Sequence, residues 1–302
     1  MKILCVCLSA TIQRTLSFEK FSCNQVNRTK IWREDASGKA LNAARVLNQL
    51  EMGCAHAICP VGNTNAERFL KLVAQDEDLS VHPVYVDGTT RECWTLLDDE
   101  TATTTELVAD ETQTVHSMAG AEAEISLLES IKEYMQTYDA LLFAGSRPVQ
   151  WSANLCARIC KLAIEAGKLV LVDFWGKDLL SVLSTCVPQI IKINREEYSS
   201  TFSDHLLSRE ELLESVKAQS ATLHNCIAVT CGEDETIAAQ DGTVCCQPSE
   251  KLRPVNTTGC GDAFSAGLLF EYLNTHDFAA SLNKAVWCAT RNAQSIVPGS
   301  IR

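Results

Sequence analysis

Positive charge is scarce in this 302-residue chain. Its 26 lysines and arginines stand against 38 aspartates and glutamates, a net charge of −12. That balance argues against broad binding to nucleic acid or to an anionic membrane surface. An anionic ligand would need a local cluster of Lys and Arg. No Gly-x4-Gly-Lys-Ser/Thr segment occurs, which leaves P-loop chemistry unsupported. Glycine is also missing directly after the first apolar strand, where Ser9-Ala10-Thr11 stands instead. That counts against a Rossmann dehydrogenase. No apolar run reaches membrane-spanning length. Residues 3–10 follow Lys2 much as a short signal h-region would, and Leu8-Ser9-Ala10 resembles a cleavage site. The same residues read as a first buried strand, the reading adopted. Internal repeats, low-complexity tracts and flexible linkers are lacking too.

What is present describes a globular protein, with 46% hydrophobic and 21% charged residues. Its length allows a large core. The 15 cysteines are scattered, and pairs such as Cys5/Cys7, Cys156/Cys160 and Cys245/Cys246 have no partners at zinc-finger spacing. The chain is too long for a small disulfide scaffold, so free thiols in a reducing cytoplasm are expected.

From residue 125 onward helical and strand patterns alternate. Strands are expected over 139–144, 168–174, 189–193 and 227–230, with helices over 151–166 and 177–183 between them. Alternation of this kind predicts parallel βαβ units in a three-layer sandwich. Ligands in such sheets collect at the carboxyl ends of the strands. Earlier, strands are expected over 2–8, 54–60 and 81–86, with helices from near Gly38 and over 66–75. Segments 27–34 and 90–108 are too polar for a buried parallel sheet and predict a separate β-layer. Residues 235–247 read as a hairpin around Asp241-Gly242, and 279–295 as a closing helix.

The densest chemistry lies at Asn256-Thr257-Thr258-Gly259-Cys260-Gly261-Asp262-Ala263-Phe264. A Thr/Gly turn leads into an apolar helix with Asp262 in its first turn. Glycines let backbone N–H groups at a helix end approach an anion, and phosphate is the natural guest. Asp262 beside that anion could take a proton from an attacking hydroxyl. It could equally be an ordinary first-turn acid. Lys39 begins another helix, where a cation is locally unfavourable unless an anion binds there; a solvated lysine is the alternative. Asn194-Arg195-Glu196-Glu197 reads on its own as a capped helix start. Arg91 reads as a surface strand residue on its own.

The Asn256–Phe264 stretch resembles the signature of the ribokinase-like, or PfkB, family of carbohydrate kinases, usually D/N-T-T/N-G-A-G-D. Gly38-Lys39-Ala40-Leu41-Asn42-Ala43-Ala44-Arg45 is similar to that family's G-K-G-x-N-V-A-R, Lys192-Ile193-Asn194-Arg195-Glu196-Glu197 to its K-P-N-x-x-E, and Thr230-Cys231-Gly232 to its T-x-G. These motifs occur in the family's order, and the resemblance spans essentially the whole chain. Within the family it is most similar to 1-phosphofructokinases and tagatose-6-phosphate kinases.

The resemblance implies an ATP- and Mg²⁺-dependent kinase, cytoplasmic, built as one ribokinase-like domain over 1–302. A β-lid from segments near 9–36 and 88–110 would also make a homodimer interface. Asp262 would be the catalytic base, and Gly259, Cys260 and Gly261 the anion hole. Lys192, Asn194, Glu197, Thr230, Gly232, Thr258 and Asn292 would serve the nucleotide, with Asn194 and Glu197 ordering Mg²⁺ through water and phosphate. Gln13, Arg28, Gly38, Lys39, Asn42, Arg91, Ser146 and Arg147 would meet the sugar. Trp32 and Trp94 are candidate lid or interface aromatics. The chain departs from the family at the sugar end. Ser9 to Gln13 replaces N-P-x-x-D, Ser37 and Ala40 replace glycines, and Arg147 replaces leucine. A phosphosugar such as fructose 1-phosphate or tagatose 6-phosphate is the expected acceptor, from the surplus of cations near it. An unphosphorylated sugar or nucleoside, or a non-catalytic ligand-binding relative, are the alternatives.

Overall fold

The computed structural model describes residues 1–108 and 121–302. In chain order the first half comprises β1 (Ile3–Val6), β2 (Thr11–Phe18), β3 (Ile31–Ser37), α1 (Lys39–Leu50), β4 (Ala55–Gly62), α2 (Ala66–Ala74), β5 (Val81–Val86), β6 (Arg91–Asp98) and β7 (Thr103–Val108). The second half comprises α3 (Ala121–Tyr134), β8 (Ala140–Ala144), α4 (Leu155–Glu165), β9 (Leu169–Asp173), α5 (Gly176–Leu183), β10 (Ile190–Asn194), α6 (Arg195–Phe202), α7 (Arg209–Leu223), β11 (Cys226–Thr230), β12 (Ile237–Gln240), β13 (Thr243–Val244), α8 (Cys260–Thr275) and α9 (Phe278–Ala293).

The larger sheet runs β13-β12-β11-β10-β9-β8-β1-β4-β5 and is parallel except at its β12 and β13 end. Both faces are covered. Ile3, Cys5 and Cys7 of the first strand segment pack toward α1, α8 and α9. Leu4, Val6 and Leu8 point the other way, toward α3 to α7. This is the expected three-layer arrangement, and near-continuous apolar strands follow from burial on both faces. The chain runs from β1 to β4 and β5 on one side, then crosses to β8 and outward on the other. The carboxyl ends of β8 to β11 and the start of α8 therefore gather beside this switch point.

The polar segments form a second sheet of four strands, β3-β2-β6-β7, outside the large one. Its strands shift from the expected segments. The strand is Ile31–Ser37, not 27–34, and residues 109–110 of the expected lid lie outside the described residues. Thr11–Phe18, within the expected lid segment near 9–36 but not itself read as a strand, is a central strand. The reason is a polar buried face. Thr11, Gln13, Thr15 and Ser17 are all buried, while on the other face Ile12 and Phe18 are buried and Arg14 and Leu16 only partly so. Alternation of hydrophobicity therefore does not mark the buried side. The outer face carries Leu16 opposite Trp32 and Leu96, and Trp94 opposite Leu107. Trp32 is 61% and Leu107 50% exposed. Beside them Arg68 of α2 bridges Glu34 and Glu92, at 2.7 and 2.6 Å, tying this sheet to the body.

Candidate active site

Two glycines shape the start of α8. Gly259 is its N-cap at φ 83°, a left-handed conformation that favours glycine. A Cβ there would lie 2.6 Å from the backbone nitrogen of Gly299. A Cβ on Gly261 would lie 2.8 Å from Lys192 Nζ. Any side chain at Gly261 would thus push that ammonium away from the positive end of the helix, where an anion would bind. Asp262 follows in the first turn, 6% exposed. Its Oδ2 accepts a hydrogen bond from Asn42 Nδ2 at 2.8 Å.

The centre of the charge network is Asp173, the last residue of β9 and wholly buried. Lys192 Nζ donates to its Oδ2 at 2.9 Å, and Ser265 Oγ to the same oxygen at 2.8 Å. Lys39 Nζ donates to Oδ1 at 3.2 Å. Three elements therefore meet on one carboxylate: α1, β10 and α8. In the sequence Asp173 falls within the expected strand 168–174 and is not singled out as a site residue. Its position at the end of a parallel strand was the available signal, but Asp is common in loops and nothing local marks it as buried.

Burial pushes both carboxyls up, yet they end far apart. At Asp173 the neighbouring Lys192 and Lys39 outweigh burial and hold it at about 2. At Asp262 burial, then repulsion from Asp173, raises it to about 6, against the pull of Lys39, Asn42 and Lys192. One acid is permanently charged and the other is a base poised near neutrality. That division suits proton transfer. Lys39 stays charged, since Asp173 above all raises its pKa despite burial.

Asn194 and Glu197 fulfil the capped-helix reading of their spacing. They form a reciprocal capping box at the start of α6, with bonds of 2.8 and 2.9 Å. The remaining Glu197 oxygen lies 3.5 Å from Lys39 Nζ, so the box also lines the site. Thr230 ends β11, and Gly232 follows at φ 64°. Gly38 is buried at φ 132°, and a Cβ there would meet Cys7 Sγ at 3.1 Å and the Ser9 carbonyl oxygen at 3.2 Å. Thr258 Oγ1 donates to Glu106 Oε1 of β7 at 3.0 Å, and Arg253 donates to the Asp99 carbonyl at 2.6 Å. The β6–β7 hairpin thus rests on the loop that leads into α8.

Asn292 is wholly buried and engaged at both ends. Its Oδ1 accepts from the Gly299 and Ser300 N–H groups at 2.7 and 3.1 Å, and its Nδ2 donates to the Thr258 carbonyl at 2.9 Å and to Cys260 Sγ at 3.3 Å. It braces the turn before α8. Gln13 is buried and donates to Thr95 Oγ1 at 2.7 Å. Arg91 lies at the start of β6, its Nη2 3.5 Å from the Ser9 carbonyl oxygen. Arg28 is exposed in the loop between β2 and β3, and Ser146 is exposed after β8. Arg147 turns to Asp178, at 2.8 Å, and to the Trp151 carbonyl, also at 2.8 Å. No hydrogen bond or ion pair joins Arg147 to Lys39 or Asp173 among the described residues.

Residues 2–300 match the family described as pfkB family carbohydrate kinase. Solved structures with the same fold include a candidate 1-phosphofructokinase from Thermotoga maritima. It is 19% identical, with a TM-score of 0.85 over 98% of this chain and 94% of that one. Phosphofructokinase-2 from Escherichia coli, in complex with fructose-6-phosphate, is 16% identical, with a TM-score of 0.83 over 97% and 93%. A tetrameric inhibited form of that enzyme is 17% identical, with a TM-score of 0.82 over 97% and 94%.

Proposed function

We propose that this chain, which belongs to the pfkB family of carbohydrate kinases, transfers the terminal phosphoryl group of ATP to a hydroxyl of a sugar that already carries a phosphate. Fructose 1-phosphate and tagatose 6-phosphate are the acceptor types we favour. The observation that carries the kinase reading is the Asp262 carboxyl: poised at about 6, held by Asn42 and placed at the start of α8. A ligand-binding relative without catalysis has no use for such a base.

In this mechanism the acceptor hydroxyl gives its proton to Asp262 as its oxygen bonds to the transferred phosphorus and the bond to ADP breaks. Phosphoryl transfer depends mainly on positioning and electrostatics. Backbone N–H groups at Gly259 to Asp262 receive the transferred group. Lys192, held against Gly261, adds positive charge there, and Asp173 fixes both lysines. Thr230, Gly232 and Thr258 are assigned to the nucleotide, and Asn292 supports them through the turn it braces.

Glu197 and Asn194 offer oxygen donors and a single carboxylate at the rim of the site, with Glu197 15% exposed. A sparse oxygen set fits Mg²⁺, which keeps most of its waters. We assign these residues to hold the ion; bound with the nucleotide, it would neutralise charge on phosphate oxygens.

The acceptor's phosphate is argued from Arg28, Lys39 and Arg91, since arginine's planar fork suits phosphate oxygens. The pairing of Arg147 with Asp178 and of Lys39 with Asp173 favours the second reading, an unphosphorylated sugar or nucleoside. Two variants separate them. Arg91→Ala and Lys39→Ala are expected to raise KM for the phosphosugar at least about tenfold, the loss of one charge-assisted contact. KM for ATP should change far less. Steady-state kinetics with each substrate varied in turn measures this. Unchanged KM for the phosphosugar in both variants would leave the unphosphorylated acceptor as the better reading.

We further propose that the β3-β2-β6-β7 sheet acts as a lid over the sugar and that its outer face joins two copies of the chain. Leu16, Trp32, Trp94, Leu96 and Leu107 supply an apolar patch on that face. Light scattering after size exclusion should give the mass of a dimer for the wild type. Trp32→Glu should give a monomer at the same micromolar loading. A wild type that elutes as a monomer would remove the dimer and leave the lid.

A further inference from the structure

Arg45 is among the largest fully buried side chains in the protein, 2% exposed, and it lies outside the charge cluster around Asp173. A buried guanidinium is costly unless its N–H donors are satisfied. Here they reach three other segments and a residue of Arg45's own helix, α1. Nε donates to Asp76 Oδ2 at 2.5 Å, beyond α2. Nη2 donates to the Ala36 carbonyl of β3 at 2.7 Å. Nη1 donates to the Pro298 carbonyl at 2.7 Å and to Asn42 Oδ1 at 3.1 Å.

The last of these bonds has a chemical consequence. Asn42 Oδ1 accepts from Ser37 Oγ at 2.9 Å as well as from Arg45. Guanidinium N–H groups only donate, so the amide atom facing Arg45 must be oxygen. The amide nitrogen is then forced to the opposite side, toward Asp262. We infer that Arg45 is a positioning residue for Asp262: it fixes the Asn42 amide so that its N–H donates to the carboxylate. Because Arg45 also holds Ala36 near the end of β3, it links the base to an edge strand of the small sheet.

This inference rests on Asp262 being the base, but its test does not require turnover. The groups facing Asp262 are Asp173, Lys39 and Lys192, besides Asn42. A hydrogen bond that stabilises the charged carboxylate lowers its pKa. Losing the fixed Asn42 donor should therefore raise it. Arg45→Lys keeps the positive charge while removing the planar fork. The carboxyl titration of Asp262 can be followed by ¹³C NMR of aspartate-labelled protein, with the resonance assigned from Asp262→Asn. Arg45→Lys should move the midpoint upward by roughly half a pH unit to one unit, within the range of single hydrogen-bond effects. Asn42→Ala should do the same, and the double variant should move it no further than Asn42→Ala alone. A merely structural Arg45 would give additive shifts or none, and either result overturns the inference. If Arg45→Lys does not fold, Asp76→Asn loosens the outer anchor instead, and the same upward direction is expected with a smaller size. The chain's activity on any sugar is read separately, so failure of the kinase reading would leave these shifts intact.

Discussion

Asp262→Asn is expected to lower kcat by about 10²–10⁴-fold, the usual worth of a general base, with KM for both substrates nearly unchanged. The amide keeps the shape of the carboxyl and removes its proton affinity. The same substitution should make the protein more stable at neutral and alkaline pH. Asp262 is raised from an ordinary 3.8 to about 6 in the folded chain, so the fold binds its proton more tightly than the unfolded chain does. Its charged form therefore works against folding. That cost is absent below about pH 4, grows as pH rises, and is complete above about pH 6. From a shift of this size the gain at pH 8 is on the order of 2–3 kcal/mol. Thermal melts of both proteins at pH 4 and pH 8 should show a difference only at the higher pH. Retained turnover would contradict the role, and equal melting at pH 8 would contradict the strained carboxyl.

Asp173→Asn should be the most destabilising single change at this site. It leaves Lys39 and Lys192 facing a neutral amide, and Lys192 is only 5% exposed. Removing one partner from a buried ion pair typically costs about 3–5 kcal/mol. Urea titrations at pH 7.5 measure this directly. The linkage runs opposite to that of Asp262. Asp173 is depressed from 3.8 to about 2, so its contribution is complete above about pH 4 and fades as pH falls toward 2. The variant should therefore approach wild-type stability only in strong acid. Loss of the Asp173 charge also removes one cause of the raised Asp262 pKa. The acid limb of the kcat/KM profile should accordingly move below about pH 6. A variant as stable as wild type, or with a limb moved upward, would show that Asp173 does not hold this cluster together.

These effects also mark what could be read from the sequence. The Asn256–Phe264 stretch announced its turn, helix and carboxylate because glycines and an apolar run are local signals. The parallel strands were legible for the same reason: burial on both faces makes them continuously apolar. The β2 strand was not, because its buried face is Thr11, Gln13, Thr15 and Ser17. Helix α7 was passed over although Ser208 and Glu211 form a readable capping box. Asp173 and Arg45 were invisible as network centres, since their partners lie far away in the chain. Arg147 shows the converse. Its type suggested an anion, and only the fold brings Asp178 beside it.

The central claim is phosphoryl transfer from ATP to a sugar phosphate. It is tested most directly by ADP release, coupled to a spectrophotometric readout, over a panel of free and phosphorylated sugars and nucleosides with ATP and Mg²⁺. The account predicts sugar-dependent ADP release with a phosphorylated hexose and formation of a bisphosphate. Release with free sugars or nucleosides only, or with no acceptor in the panel, would contradict it.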